Sequence, residues 1–280
     1  MTFMQPKFVF FGTPLVASRT LERLLEAGYT PSLVVTSPDA PQGRGMTLTP
    51  SPVKALAESR GIKIATPEKA RNTIDEVRAT GAEYALVVAY GKILPQTLID
   101  AFPLGVLNVH YSLLPKYRGA SPVEAALLNG DTVTGVAVQR MVLALDAGDI
   151  LAVKEEPIAS DDTALTLRPR LIELGADTLI EALPAFVAGT ALFTPQDETL
   201  ATHCGKISKE ARELDLSADA KENWNKYRAY AEGPGTHFFM ERDGKRIRVK
   251  IKKASLRNGQ FVVERVVPEG KNEMDFSALH

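Results

Sequence analysis

The strongest constraint on how this chain folds is an alternation. From residue 7 to residue 158 short apolar runs are separated by amphipathic stretches with recognisable ends; the runs are Phe8 to Phe11, Leu33 to Thr36, Tyr84 to Ala89, Val106 to Tyr111 and Gly135 to Met141. Pro14 to Ala27 carries Leu21, Leu24 and Leu25 on one helical face and stops at Gly28. Ser51 before Pro52, and Ser121 before Pro122, each set a capping hydroxyl ahead of a first-turn proline, with Gly61 and Gly130 as the stops. Runs that are apolar throughout belong to strands buried on both faces. The pattern therefore predicts an α/β fold, a Rossmann-like, mostly parallel sheet with helices on both faces. A long amphipathic helix from Thr163 to about Gly189 closes this domain, with Pro169 and Pro184 as expected sites of a bend or break.

A chain of 280 residues has room for that domain and a smaller module. Residues 190–206, TALFTPQDETLATHCGK, have neither helical nor strand period and read as a linker between a first domain, 1–189, and a second, 207–280. The second has a helix-like stretch with Trp224 and Tyr227, then Gly233, Pro234 and Gly235, then alternating strands. It is β-rich and short for an independent core.

Net charge is −1, so the chain as a whole does not advertise a nucleic-acid partner. Its distribution says more: residues 206–280 hold 16 Lys and Arg against 12 Asp and Glu, and residues 1–205 hold 17 against 22. A basic module behind an acidic domain suggests two kinds of work. Cys204 is the only cysteine, which excludes an internal disulfide and a cysteine metal cluster and agrees with a reducing compartment. MTFMQPKFVFFGTP reads as a first buried strand rather than a signal peptide, and no apolar segment approaches the roughly 18 residues of a membrane span. The expectation is a cytoplasmic monomer with no membrane partner.

Chemistry is expected at the carboxyl ends of the strands, where open α/β sheets bind ligands. VFFGTP has only one of the glycines of a dinucleotide fingerprint, so a tight strand-to-helix turn explains it better than nucleotide binding. Residues 37–52, SPDAPQGRGMTLTPSP, form a long turn-rich loop with Arg44 between two glycines, suited to a phosphate, a base edge or plain solvent. Asn108 and His110 lie two apart at a strand end and so share one face of the sheet. Asp146, in the turn LDAGDI after the next strand, is placed to reach the same crevice. Asn, His and Asp without a Ser or Cys nucleophile suit acyl transfer in which the attacking group belongs to the substrate. On these residues alone, hydrogen-bonded polar groups at a strand end are the plainer explanation. One His with one Asp falls short of the three protein ligands of a catalytic metal, so no metal is expected.

The motif Asn108-Val-His110-Tyr-Ser112-Leu-Leu-Pro115-Lys-Tyr-Arg118-Gly119-Ala-Ser-Pro122, followed by Asp146, resembles the signature of the folate-dependent formyltransferases. FFGTP, PDAPQGRG at Pro38 to Gly45, PSPVK at Pro50 to Lys54, AYGKILP at Ala89 to Pro95 and ISKE at Ile207 to Glu210 narrow the resemblance to the branch that acts on initiator tRNA. Together these motifs span about three quarters of the chain. The resemblance implies transfer of a formyl group from 10-formyltetrahydrofolate to the α-amino group of methionyl initiator tRNA. It assigns Asn108 and His110 to the formyl oxygen and Asp146 to orienting the imidazole and relaying the proton. It puts the folate against Ser112, Leu113, Leu114 and Pro115 and against Ala89, Tyr90, Gly91, Ile93 and Leu94, and the Arg44 loop at the tRNA acceptor end. The family's C-terminal module resembles an oligonucleotide-binding (OB) barrel.

The basic stretch KRIRVKIKK supports that assignment independently. It sets Arg246, Arg248, Lys250 and Lys252 on one strand face and Ile247, Val249 and Ile251 on the other, a surface fit to track phosphates. Three departures mark the tRNA apparatus as reduced: Met46 and Thr47 stand where the family commonly has two lysines, GPGTHFF at Gly233 to Phe239 lacks the usual Trp, and the module is short enough to imply an abbreviated OB-like sheet. A formyltransferase for an amino sugar or another small amine, and a non-catalytic RNA-binding protein on the same scaffold, are the competing expectations.

Overall fold

The structure is a computed structural model and describes residues 6–43, 45–242 and 244–279. The first elements are β1 (Phe8–Gly12), α1 (Leu15–Glu26), β2 (Leu33–Val35), β3 (Ala40–Gln42), β4 (Thr47–Thr49), α2 (Pro52–Ser59) and β5 (Ile64–Ala65). They are followed by α3 (Ile74–Thr80), β6 (Tyr84–Val88), α4 (Gln96–Ile99), β7 (Gly105–His110), β8 (Arg118–Gly119) and α5 (Pro122–Leu128). Next come β9 (Val133–Arg140), β10 (Ile150–Pro157), α6 (Ala164–Val187), β11 (His203–Cys204) and α7 (Ala220–Ala229). The last strands are β12 (His237–Arg242), β13 (Lys245–Arg257), β14 (Gln260–Pro268) and β15 (Met274–Asp275).

Seven strands form one sheet in the order β10-β9-β7-β6-β1-β2-β5. The pairs β1–β2, β1–β6, β2–β5 and β6–β7 are parallel, and β7–β9 is antiparallel. Every residue of β1 and β6 is buried, as a sheet covered on both faces requires. Alternate side chains feed two layers. Val9, Phe11, Leu33, Val35, Ala85 and Val87 join Leu98 and Phe102 in one cluster. Phe8 stacks on Tyr84, which meets Phe186 of α6 edge-on. Each such fully buried side chain contributes about 1.5–3 kcal/mol, so the apolar runs alone commit the chain to this layering.

The caps act as their residue types dictate. Ser51 accepts from the backbone N–H of Lys54, and Pro52 is the first residue of α2. The turn after β1 needs glycine for space: a Cβ on Gly12 would lie 2.6 Å from the Ala17 Cβ and 3.0 Å from the Val88 carbonyl. Absence of a side chain there lets α1 sit against the strand ends.

Three local expectations change. The loop 37–52 contains the short hairpin β3–β4, pairing Ala40 with Thr49 and Pro41 with Leu48; its base is tied by Lys54 to Asp39 at 2.8 Å and by Thr36 to Ser51 at 2.7 Å. The helix α6 runs through Pro169 and Pro184 as one element. Residues 190–206 are held in place rather than merely connecting: Thr194 exchanges two backbone hydrogen bonds with Ile150.

By proximity the chain divides into two compact units, 1–118 with 135–155 and 171–202, and 119–134 with 156–170 and 203–280. This differs from the linear boundaries at 189 and 206, because α5 and the segment before α6 pack with α7. Asn225 of α7 donates to the Leu128 carbonyl, Trp224 to the Ser160 carbonyl, and buried Arg228 to the carbonyls of Ala159 and Asp162. Arg168 joins Glu124 and Glu232, while Arg170 joins Glu156 and Asp162. The Arg170 guanidinium holds the Asp162 carboxyl down at about 2. The rest of this unit is an antiparallel sheet in the order β12-β13-β14-β15 over a core of Phe238, Val249, Ile251, Val263 and Val266. Leu214 adds a backbone bond to His237 at the β12 edge.

Candidate active site

β7 ends the site's framework. In register, Asn108 stands between Val87 of β6 and Gln139 of β9, and His110 is opposite Ala137. Both side chains are buried, at 8 % and 5 % exposure, in a position where an unsatisfied polar group is costly. His110 answers that cost through Nε2, which donates to the Tyr117 carbonyl at 2.9 Å. A carbonyl can only accept, so Nε2 carries a proton and Nδ1 is the nitrogen left for chemistry. Nδ1 lies 3.6 Å from Asp146 Oδ2. His110 and Asp146 are thus brought together, and Asn108 shares the His110 face of β7, paired in register with Gln139.

The Asn108 amide makes no side-chain hydrogen bond among the described residues. A buried amide with open valences on the same strand face as an imidazole is equipped to hold a polar atom of a ligand. Backbone strain gathers here as well: Ala89, Tyr117 and Asp146 have φ of 44°, 59° and 49°, the left-handed region that non-glycine residues adopt at a cost.

The flanking loops divide into lining and scaffold. After β6, Ala89, Gly91 and Ile93 are exposed, Ile93 at 84 %, whereas Tyr90 and Leu94 are each 3 % exposed and belong to the core cluster. Burial pushes the Tyr90 hydroxyl up to about 12, and it has no hydrogen-bond partner among the described residues. The Tyr90 carbonyl accepts from Thr13, which also bonds Ser37, so the ends of β1, β2 and β6 are laced together. After β7, Ser112 is fully buried and its hydroxyl donates to the Lys116 carbonyl, so it closes the turn. Leu113 is partly exposed, Leu114 is buried, and the Leu114–Pro115 peptide is cis.

Residues that the sequence did not single out complete the surroundings of Asp146. Gln139 donates to its carboxylate at 3.0 Å, and Gln196 donates to its carbonyl at 2.8 Å. Gln139 had a legible signal, one amide within the apolar run GVAVQRM. Gln196 had none.

In the second unit, β13 carries the basic row. Val249 and Ile251 are buried while Arg246 and Arg248 are exposed, as alternation requires. The register shifts between Ile251 and Lys253, so the alternation stops there and Lys252 and Lys253 are both exposed. Arg246 lies 3.3 Å from Glu213 and over the Phe239 ring at 3.9 Å; Lys253 pairs with Glu264. Among the described residues Arg248, Lys250 and Lys252 have no ion pair, and they form the open part of the row. Arg44 lies outside the described residues.

Residues 6–183 match the formyl transferase family and residues 206–270 match the formyl transferase C-terminal domain. The methionyl-tRNA formyltransferase of Bdellovibrio bacteriovorus is 42 % identical over 244 residues, 86 % of this chain and 76 % of that protein. That of Geobacter sulfurreducens is 40 % identical over 245 residues, covering 87 % and 77 %. Among solved structures, an N-formyltransferase from Helicobacter canadensis in complex with folinic acid and dTDP-3-aminofucose has a TM-score of 0.67 at 21 % identity, over 90 % of this chain and 88 % of that one. That likeness establishes the fold. With a formyl transferase match across the whole Asn108, His110 and Asp146 region, and relatives at 40 and 42 % identity over about three quarters of their length, this chain belongs to the methionyl-tRNA formyltransferase family.

Proposed function

We propose that this chain transfers the formyl group of 10-formyltetrahydrofolate to the α-amino group of methionyl initiator tRNA. The observation that carries the reading is the open Asn108 amide beside an imidazole whose Nδ1 faces Asp146, with no protein nucleophile in the group. An α-amino group titrates at about 8, so a neutral fraction is present near neutral pH and attacks unaided. The new bond joins that nitrogen to the formyl carbon, and the bond from the carbon to the folate nitrogen breaks. Asn108 donates to the formyl oxygen as negative charge develops on it, and His110 adds a second donor once Nδ1 has taken up a proton. Asp146 keeps the ring oriented, and the proton leaving the amine passes to the departing nitrogen through this pair or a water.

The folate is assigned to the exposed edge formed by Ala89, Gly91 and Ile93 and to Leu113 and Pro115. Tyr90, Leu94, Ser112 and Leu114 support that edge from behind. In this reading residues 1–189 perform the transfer, 190–206 lead to the second module while Gln196 bonds the Asp146 turn, and 207–280 hold the tRNA through Arg246, Arg248, Lys250 and Lys252, with Arg44 at the acceptor end. The catalytic unit acts as a monomer in the cytoplasm and uses no metal.

The deciding experiment supplies 10-formyltetrahydrofolate with charged initiator tRNA in one reaction and a nucleotide-linked amino sugar in another. Formyl-methionyl product in the first is expected. Product only on the sugar selects the small-amine alternative, and no product on either selects the non-catalytic one.

A second measurement isolates the basic row. Replacing Arg248 and Lys250 together by Ala is expected to weaken tRNA binding and to lower the slope of log affinity against log salt by about 1.5 to 2, near the value for two lost phosphate contacts. Turnover at saturating tRNA should hold. An unchanged slope would return the strand to a solvated sheet face.

A further inference from the structure

We propose that Gln139 and Gln196, braced by Arg118, are positioning residues that fix the Asp146 carboxylate against His110. The inference rests on the reading of Asp146 as the group that orients the imidazole; it adds Gln139 and Gln196, which lie outside the motif, and a role for Arg118, which the motif contains without one.

Gln139 is the starting point, a 2 % exposed amide on a strand whose neighbours Val136, Ala137 and Val138 are apolar and buried. Burying an amide is unfavourable unless both its ends are bonded. Here its Nε2 donates to Asp146 Oδ1 at 3.0 Å and its Oε1 accepts from Gln196 Nε2 at 3.3 Å. With one carboxylate oxygen engaged, the other is the one turned to His110 Nδ1.

Gln196 fixes the backbone of the same turn. Its Nε2 points its two hydrogens at the carbonyls of Asp146 and Gly148, at 2.8 and 2.7 Å, and the longer 3.3 Å contact to Gln139 Oε1 shares one of them. Its Oε1 accepts from Arg118 Nε and Nη2 at 3.0 and 2.8 Å, so the amide cannot be reversed without setting its NH2 against a guanidinium. Arg118 is itself 3 % exposed and held from its other edge by both carboxylate oxygens of Glu198, at 2.8 and 2.7 Å. The chain of contacts runs Glu198, Arg118, Gln196, Gln139, Asp146. It braces a residue whose φ of 49° an aspartate would otherwise leave. At 3.6 Å the contact from Asp146 to His110 is too long to be a hydrogen bond that holds itself, so its geometry has to be held from elsewhere.

The test is a double-mutant cycle. Gln139→Met keeps the side-chain volume and removes both bonds, and Gln196→Met does the same one step further out; melting temperatures report whether each variant folds. Gln139→Met is expected to lower kcat about tenfold or more, with KM for the folate within about twofold, as supporting partners of a catalytic group do. In an Asp146→Ala background the same substitution should cost less than about twofold, because the group it positions is gone. Gln196→Met should repeat the pattern and covers the case in which Gln139→Met does not fold. Equal losses in both backgrounds, or none in either, would overturn the proposal while leaving the role of Asp146 standing. Wild-type turnover by Asp146→Ala alone would overturn the reading of Asp146 and the proposal with it.

Discussion

His110→Ala should leave folate affinity within about threefold and reduce kcat by about 10²–10⁴, the range that a positioned acid–base group contributes. The ring contacts both the Asp146 carboxylate, at 3.6 Å, and the carbonyl of Tyr117, a residue of positive φ, at 2.9 Å. Its removal takes away the proton route and one of two groups assigned to the developing oxyanion. Affinity should survive because the edge assigned to the folate is built from other residues, with Ile93 exposed and Tyr90 and Leu94 in the core. The substitution also removes the hydrogen bond from the ring to the part-buried Tyr117 carbonyl, a net loss of about 0.5–1.5 kcal/mol. His110→Asn is therefore the companion variant, restoring a donor without an imidazole. Equilibrium folate binding and single-turnover formylation separate the two effects, and a His110→Ala enzyme within a few fold of wild-type kcat would remove the imidazole from the mechanism.

The site was legible in the sequence to the extent that it depends on local periodicity. Asn108 and His110 share a face because they are two residues apart on a strand, and that needs no knowledge of what lies beside β7. Asp146 is different: its approach depends on β9 returning antiparallel to β7 and on the turn that follows, so spacing alone gave only the right neighbourhood. Gln196 was invisible because side-chain bonds to backbone carbonyls hold its segment, and such bonds leave no period in the sequence. The basic row shows the same limit. Alternation placed Arg246, Arg248 and Lys250 outward, but the shift at Lys252 is a property of pairing, where two residues of β13 are set against one partner interval on β14. In the fold, buried runs and caps located the main strands, whereas the β3–β4 hairpin lay in a stretch whose exposed side chains, Met46 and Leu48 among them, carry no buried face to read.

Gly148→Ala is expected to damage both stability and turnover, although alanine is the smallest side chain that can replace glycine. The new Cβ would stand 1.7 Å from the Arg140 carbonyl oxygen and 2.9 Å from its carbon, both backbone atoms. Arg140 cannot withdraw freely, since its N–H donates to the Asp149 carbonyl at 2.8 Å. The turn must therefore open, and it is the turn that carries Asp146. Overpacking of this kind costs about 1–3 kcal/mol, and each kcal/mol lowers the melting temperature of a protein in this size class by about 2–4 °C. The catalytic loss should be larger than the stability loss suggests, because displacement of a catalytic group by about 1 Å can cost 10²-fold. Gly205→Ala is the matched control: a Cβ there meets nothing within 4 Å, so neither property should change. Thermal melting and kcat measured on both variants test the argument. A Gly148→Ala enzyme with wild-type melting and turnover would mean that the Asp146 turn relaxes without consequence, and the packing between Gly148 and Arg140 would then have no part in holding the site.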